Sequence, residues 1–180
     1  MVMSLRLMCG HGGFCPPASS SGVGAERRPP PETFARFCEA LNGFEVDYVV
    51  VGSEAVAFHG VPRYSLDFDL FVQPTQGNLF RVKAALELLG HTELAGRIDP
   101  EVWARTRATL RLGEPPFQID VLLQLSGVVY EPVRRAAVSG SYGAVPVRFI
   151  GRSDLVVNKR AAGREKDLAD VKALEDTTDL

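Results

Sequence analysis

Val50-Val51-Gly52-Ser53-Glu54-Ala55-Val56-Ala57-Phe58-His59-Gly60, followed by Asp67-Phe68-Asp69-Leu70, is the stretch that decides the fold. It reads as a strand (Tyr48 to Val51), a Gly-Ser turn, a short helix (Ser53 to Phe58) and a second strand (Asp67 to Val72). Side chains alternate along a strand, so Asp67 and Asp69 project on one side, with Cα atoms roughly 6.5–7 Å apart. Two carboxylates about 4 Å apart repel by roughly 4 kcal/mol at an effective dielectric near 20. On a strand whose other residues are apolar, such a pair calls for a cation or a proton. A divalent metal that also takes phosphate oxygens satisfies it.

Gly52-Ser53 stands where a strand turns into a helix. Glycine permits close backbone approach to a ligand, and the helix start offers N–H groups to a triphosphate. A plain Ser N-cap would leave the same trace. Glu54 in the first turn suits the helix dipole but repels phosphate unless it points away. A third acid, Asp120, interrupts the apolar run Pro116-Phe117-Gln118-Ile119-Asp120-Val121-Leu122-Leu123. From a neighbouring strand it would complete a three-carboxylate site; otherwise it is an edge acid paired with an arginine.

The combined pattern resembles the DNA polymerase β nucleotidyltransferase superfamily. With Arg63 and Ser65 before the Asp-Phe-Asp, it is most similar to the AbiEii-type and related minimal nucleotidyltransferases, over roughly residues 46–175. The resemblance implies an α+β nucleotidyltransferase core, a small mixed sheet with helices on one side and C-terminal helices. It implies two Mg²⁺ ions, or Mn²⁺, on Asp67, Asp69 and Asp120, with Asp120 helping to remove a hydroxyl proton. Gly52 and Ser53 would hold the phosphates of an NTP. Arg63 would contact phosphate or steady a carboxylate, with His59 on the same loop, and Ser65 would hydrogen-bond a carboxylate from behind. Asn158-Lys159-Arg160 and Arg164-Glu165-Lys166-Asp167-Leu168-Ala169-Asp170 read by composition as a solvated helix pair. The resemblance instead puts Lys159 on phosphate and Asp167 or Asp170 as the trailing acid.

The reaction implied is transfer of a nucleoside monophosphate to a hydroxyl of RNA such as tRNA, of a protein or of a small molecule, releasing pyrophosphate. A cognate toxin or antitoxin is the implied partner. The rival expectation is a non-catalytic protein that keeps the fold as a toxin–antitoxin partner.

The chain has 180 residues, 46% hydrophobic and 23% charged, with a net charge of −2. That suits one soluble domain and argues against a generally basic nucleic-acid binder, although Arg105, Arg107 and Arg111 form a local patch that suits an acceptor. No apolar run is long enough for a membrane span. Cys9 and Cys15 stand near His11, short of a zinc frame, and Cys38 stands alone. With no disulfide framework, a reducing cytoplasm is expected. Residues 1–31 are rich in Gly, Pro and Ser and read as a flexible leader, with the folded domain from residue 32 to 180.

Further along, Phe34, Phe37, Cys38 and Leu41 recur at helical spacing. Leu79, Val82, Ala85, Leu86 and Leu89 line a helix opened by Pro74-Thr75. The stretch 98–105 is ambiguous, with Asp99-Pro100-Glu101 able to start a helical turn. Residues 108–112 and 117–123 suggest a hairpin joined at 113–116. Residues 128–138 read as helix, 145–150 as a strand, 153–161 as a helix capped by Ser153, and 165–174 as the last helix.

Overall fold

Tyr48-Val49-Val50 is wholly apolar because it runs through the middle of a sheet. In the computed structural model, which describes residues 32–63, 67–113 and 118–177, this strand is β1 (Tyr48–Val50). The others are β2 (Asp67–Val72), β3 (Thr109–Leu112), β4 (Gln118–Leu122), β5 (Val138–Tyr142) and β6 (Val145–Phe149), in the order β3-β4-β2-β1-β6-β5. β1 runs antiparallel to β2 and parallel to β6; β2 runs parallel to β4; β3–β4 and β5–β6 are antiparallel pairs. The sheet is therefore mixed. Together with eight helices among the described residues it makes an α+β architecture.

The register sorts residues onto two faces. Phe68, Leu70 and Val72 share one face with Tyr48, Val50, Ile119, Val121, Leu110 and Leu112, all buried. Helix α1 (Glu32–Gly43) covers this face. Phe34 stacks on Phe68 with ring centroids 5.0 Å apart, and the Tyr48 hydroxyl donates to the Asn42 side-chain oxygen at 3.0 Å. Helix α3 (Gln76–Leu88), capped by Thr75, packs beside α1. Its buried Asn78 accepts from the Asp47 amide (2.8 Å) and donates to the carbonyls of Asp47 (2.9 Å) and Gln73 (3.0 Å). A fully buried amide is tolerated there because its bonds tie α3 to the ends of β1 and β2.

The opposite face carries Asp67, Asp69 and Phe71, with Val49, Gln118, Asp120 and Arg111 alongside. Here Tyr130, the first residue of α6 (Tyr130–Ala136), meets Phe71 edge-on at 5.0 Å. Helical residues thus contact both faces, and the one-sided packing expected from sequence is corrected.

The remaining helices are α2 (Gly52–Phe58), α4 (Thr92–Arg97), α5 (Pro100–Thr106), α7 (Arg152–Ala162) and α8 (Glu165–Asp176). The ambiguous stretch resolves as α5, because Asp99 accepts from the amides of Glu101 and Val102, both at 3.1 Å. The helix expected through Val138 stops at Ala136, and residues 138–142 are strand instead. Gly140 explains part of this: a Cβ there would lie 2.7 Å from Phe58 and 3.0 Å from Phe149, so the strand lies directly on those rings. Ser153 is not the cap of α7; Gly151 holds that position with no side-chain bond. The leader with Cys9, His11 and Cys15, as well as Ser65 and the turn residues 114–117, fall outside the described residues. No described helix is long and apolar enough to cross a membrane.

Candidate active site

Strand pairing assembles the acids. Asp69 lies opposite Asp120 across the parallel β2–β4 pair, and Asp67 lies opposite Gln118. Residues opposite each other across such a pair share a face, with strands about 4.8 Å apart. Asp67, Asp69 and Asp120 therefore stand on one face of two central strands. Asp67 is exposed, Asp69 half-buried and Asp120 buried. The Asp69 carboxyl is pushed up to about 6, first by burial, then by Asp120 and Asp67, while Lys159 and Lys166 pull it back. That is the signature of crowded like charges in a partly dry site.

Gly52 opens α2 in the left-handed region, with φ +64°. The Val51 amide before it donates to the Asp69 carbonyl at 3.0 Å and so brings the turn against β2. A Cβ on residue 52 would lie 2.0 Å from Asp69 Oδ2 and 2.8 Å from its Cγ. The glycine thus admits the Asp69 carboxylate to the start of the helix, a stronger requirement than sequence reading gave it. Ser53 follows, half-buried. Glu54 does not escape the acids: burial raises its pKa, and the Asp69 charge raises it further.

Asp120 is held on three bonds. Arg111 Nε donates to Oδ1 at 3.0 Å, Arg111 Nη2 to Oδ2 at 3.1 Å, and Gln118 Nε2 to Oδ1 at 3.0 Å. Arg111 reaches it because the β3–β4 register sets the two residues opposite each other. Its side chain is 63% exposed while that of Asp120 is 12% exposed. Asp120 secures the guanidinium charge, and Asp67 and Asp69 add to it at longer range. Sequence reading counted Arg111 toward an acceptor patch and offered an arginine partner for Asp120 only as the alternative, without naming it; the signal was the hairpin register, obscured by uncertain turn length. Among the described residues no three carboxylate, imidazole or thiol groups converge as a ready metal cage. The donor set nonetheless suits a hard cation such as Mg²⁺, being all carboxylate oxygen and electrostatically crowded at Asp69.

The second charged cluster joins the helical hairpin α7–α8 to the loop after α2. Lys159 is buried, with Nζ 3.0 Å from Asp167 Oδ1 and 2.7 Å from Asp170 Oδ2. The latter is a close charge contact rather than a well-directed hydrogen bond, which leaves Oδ2 of Asp170 formally unsatisfied. Arg164 also binds Asp167, and Arg63 Nε lies 3.4 Å from Asp170 Oδ1. Burial pushes the Asp167 carboxyl up, but Arg164 and Lys159 outweigh it and hold it below the usual range. Arg63, Lys159, Asp167 and Asp170 are therefore brought together as one network, close enough to Asp69 for Lys159 to lower its pKa. In this arrangement the Lys159 ammonium faces two aspartates. His59 Nε2 donates to the Ile150 carbonyl at 2.7 Å and ties α2 to the end of β6.

A surface hollow of about 400 Å³ lined by Gly90, His91, Thr92, Glu93, Leu94 and Arg97 contains none of these groups. The carboxylates lie on the sheet face instead. No protein-family model matches the chain, and no curated protein matches it. The reading of the site rests on its own geometry.

Proposed function

We propose that the protein is a metal-dependent nucleotidyltransferase of the DNA polymerase β type, moving a nucleoside monophosphate from an NTP to a hydroxyl of RNA, protein or a small molecule. The observation that carries this reading is the β2–β4 register, which sets Asp67, Asp69 and Asp120 on one face beside a glycine whose Cα the Asp69 carboxylate overlies. Asp67, Asp69 and Asp120 would hold Mg²⁺ through carboxylate oxygens. Bound Mg²⁺ supplies charge neutralisation of the leaving pyrophosphate and acidifies the acceptor hydroxyl. Gly52 keeps the turn close to the acids, and the half-buried start of α2 with Ser53 would face the phosphates. Asp120 accepts the hydroxyl proton once its oxygens are released from Arg111. The test is Mg²⁺-dependent pyrophosphate release from each NTP against RNA and protein acceptors. Calorimetry of Mg-NTP accompanies it, and binding should fall in Asp67→Asn and Asp120→Asn.

One observation favours a second reading, a non-catalytic partner in a toxin–antitoxin pair. Arg111 satisfies Asp120 and two aspartates satisfy Lys159, so both charged groups are paired within the fold. A chain that releases no pyrophosphate with any NTP, yet forms a stable complex with the product of an adjacent gene, would establish it. The AbiEii-type resemblance makes that gene pair the first place to look.

A further inference from the structure

We propose that Arg111 is a built-in competitor of the metal: it neutralises Asp120 in the metal-free protein and must let go for Asp120 to ligate a divalent cation. The inference rests on the nucleotidyltransferase reading of the acid face and adds a device that regulates it.

Three strand-borne carboxylates on one face need positive charge whether or not a metal is present. Arg111 provides part of it, at Asp120, while Lys159 and Lys166 act on Asp69. The guanidinium takes both oxygens of Asp120 in a side-by-side fork, at 3.0 and 3.1 Å, the geometry in which arginine binds carboxylate most firmly. Gln118 adds a third donor at 3.0 Å. A carboxylate with both oxygens occupied in this way has little left to give a metal. The fork is nevertheless built for release. The Arg111 side chain is 63% exposed and sits on β3, the edge strand of the sheet. It can swing into solvent without opening the core, whereas Asp120 cannot follow. Departure costs the pair but leaves no buried charge unpaired, because the incoming metal replaces the guanidinium.

Mn²⁺ is the probe, titrated calorimetrically and by its electron paramagnetic resonance signal into wild type and four variants. Arg111→Met keeps the aliphatic stem and removes the fork. It should tighten Mn²⁺ binding by about tenfold or more, the size of a charge-assisted bond. Lys166→Met removes an exposed cation that feels Asp69 but grips no carboxylate there, and should change affinity well under tenfold. Gln118→Ala removes a neutral donor and should fall between the two. Asp120→Asn should weaken Mn²⁺ binding relative to wild type. In parallel, the Arg111 Nε–H resonance should shift and exchange faster with water as Mg²⁺ saturates wild type.

If wild type binds Mn²⁺ at a site that Asp120→Asn weakens, but Arg111→Met binds no better, the competitor role is overturned and the metal site stands. An Nε–H signal unmoved at saturating Mg²⁺ overturns it equally. If neither wild type nor Arg111→Met binds Mn²⁺, or Asp120→Asn binds as well as wild type, the metal site falls and the competitor role with it.

Discussion

Gly52 and Asp69 define each other. The backbone at Gly52 is left-handed, and the space where a Cβ would stand is filled by the Asp69 carboxylate, 2.0 Å away. Gly52→Ala should therefore destabilise by on the order of 2–4 kcal/mol, adding left-handed strain to overpacking. Combining it with Asp69→Ala should relieve the carboxylate clash but leave the strain and the contact with the residue 69 Cβ at 2.9 Å, a coupling measurable in a denaturation double-mutant cycle. Strict additivity would show that the two do not touch. Asp69 also carries a pH signature. Its folded-state pKa, raised to about 6 from 3.8, means the folded chain binds the proton more tightly than the unfolded one. Its ionisation thus opposes folding, and the penalty grows as pH rises from about 4 through about 6. In metal-free protein, Asp69→Asn should be more stable than wild type by about 3 kcal/mol at pH 7.5 and no more stable at pH 3.5. Equal stability curves at both pH values would remove the crowding argument. At this scale the sequence was informative about Asp67, Asp69, Asp120 and Gly52, since carboxylates at i and i+2 on an apolar strand have few solutions. It did not single out Arg111 as the arginine on Asp120, because that pairing depends on a register that the 113–116 turn does not fix.

Elements with a strong period were legible; those held by tertiary contact were not. The apolar spacing of α1 and α3 and the alternation of β3 predicted their type. Strand β5, Val138-Ser139-Gly140-Ser141-Tyr142, has low intrinsic strand preference and is held by pairing with β6 and by the Phe58 and Phe149 rings over Gly140. α4 has neither a side-chain cap bond nor an apolar stripe to announce it. The α7–α8 hairpin was read correctly as two helices, but as a solvated pair by composition. Its charges turn inward instead: Lys159, Asp167 and Asp170 are 6%, 1% and 4% exposed. Removing one partner from a buried ion network strands the others, typically at 3–5 kcal/mol. Lys159→Met should cost at least about 3 kcal/mol in chemical denaturation, whereas Lys172→Ala, exposed on α8, should stay within about 0.5 kcal/mol. Mg-NTP affinity measured on folded Lys159→Met separates the roles. A stability loss with unchanged affinity assigns Lys159 to the hairpin; lost affinity would carry it to the phosphates as well.

At the scale of the molecule, segments far apart in sequence pair with one another. β1 sits between β2 and β6, so the centre of the sheet exists only when residues about a hundred apart have paired. The last helix completes this closure. Leu174 is fully buried, Arg152 donates to its carbonyl, and Asp170 reaches Arg63 in the loop after α2. Nonlocal pairing of this kind makes a domain fold as one unit, because few sub-assemblies bury enough apolar surface alone. Trp103, the chain's single tryptophan, reports on this from a distance. It lies on α5, which packs on α3 rather than on the C-terminal hairpin. A chain ending at Gly163 would lose α8, the surface it packs against α7 and both aspartates that pair with Lys159. Set against a net stability of about 5–15 kcal/mol for a typical domain, that loss should abolish the fold throughout. Trp103 fluorescence should then match that of the unfolded chain, and far-ultraviolet circular dichroism should show no cooperative transition. A truncated chain in which Trp103 still melts cooperatively within a few degrees of wild type would divide the molecule into two independent parts. The acid face would then have to be stable without the hairpin that flanks it.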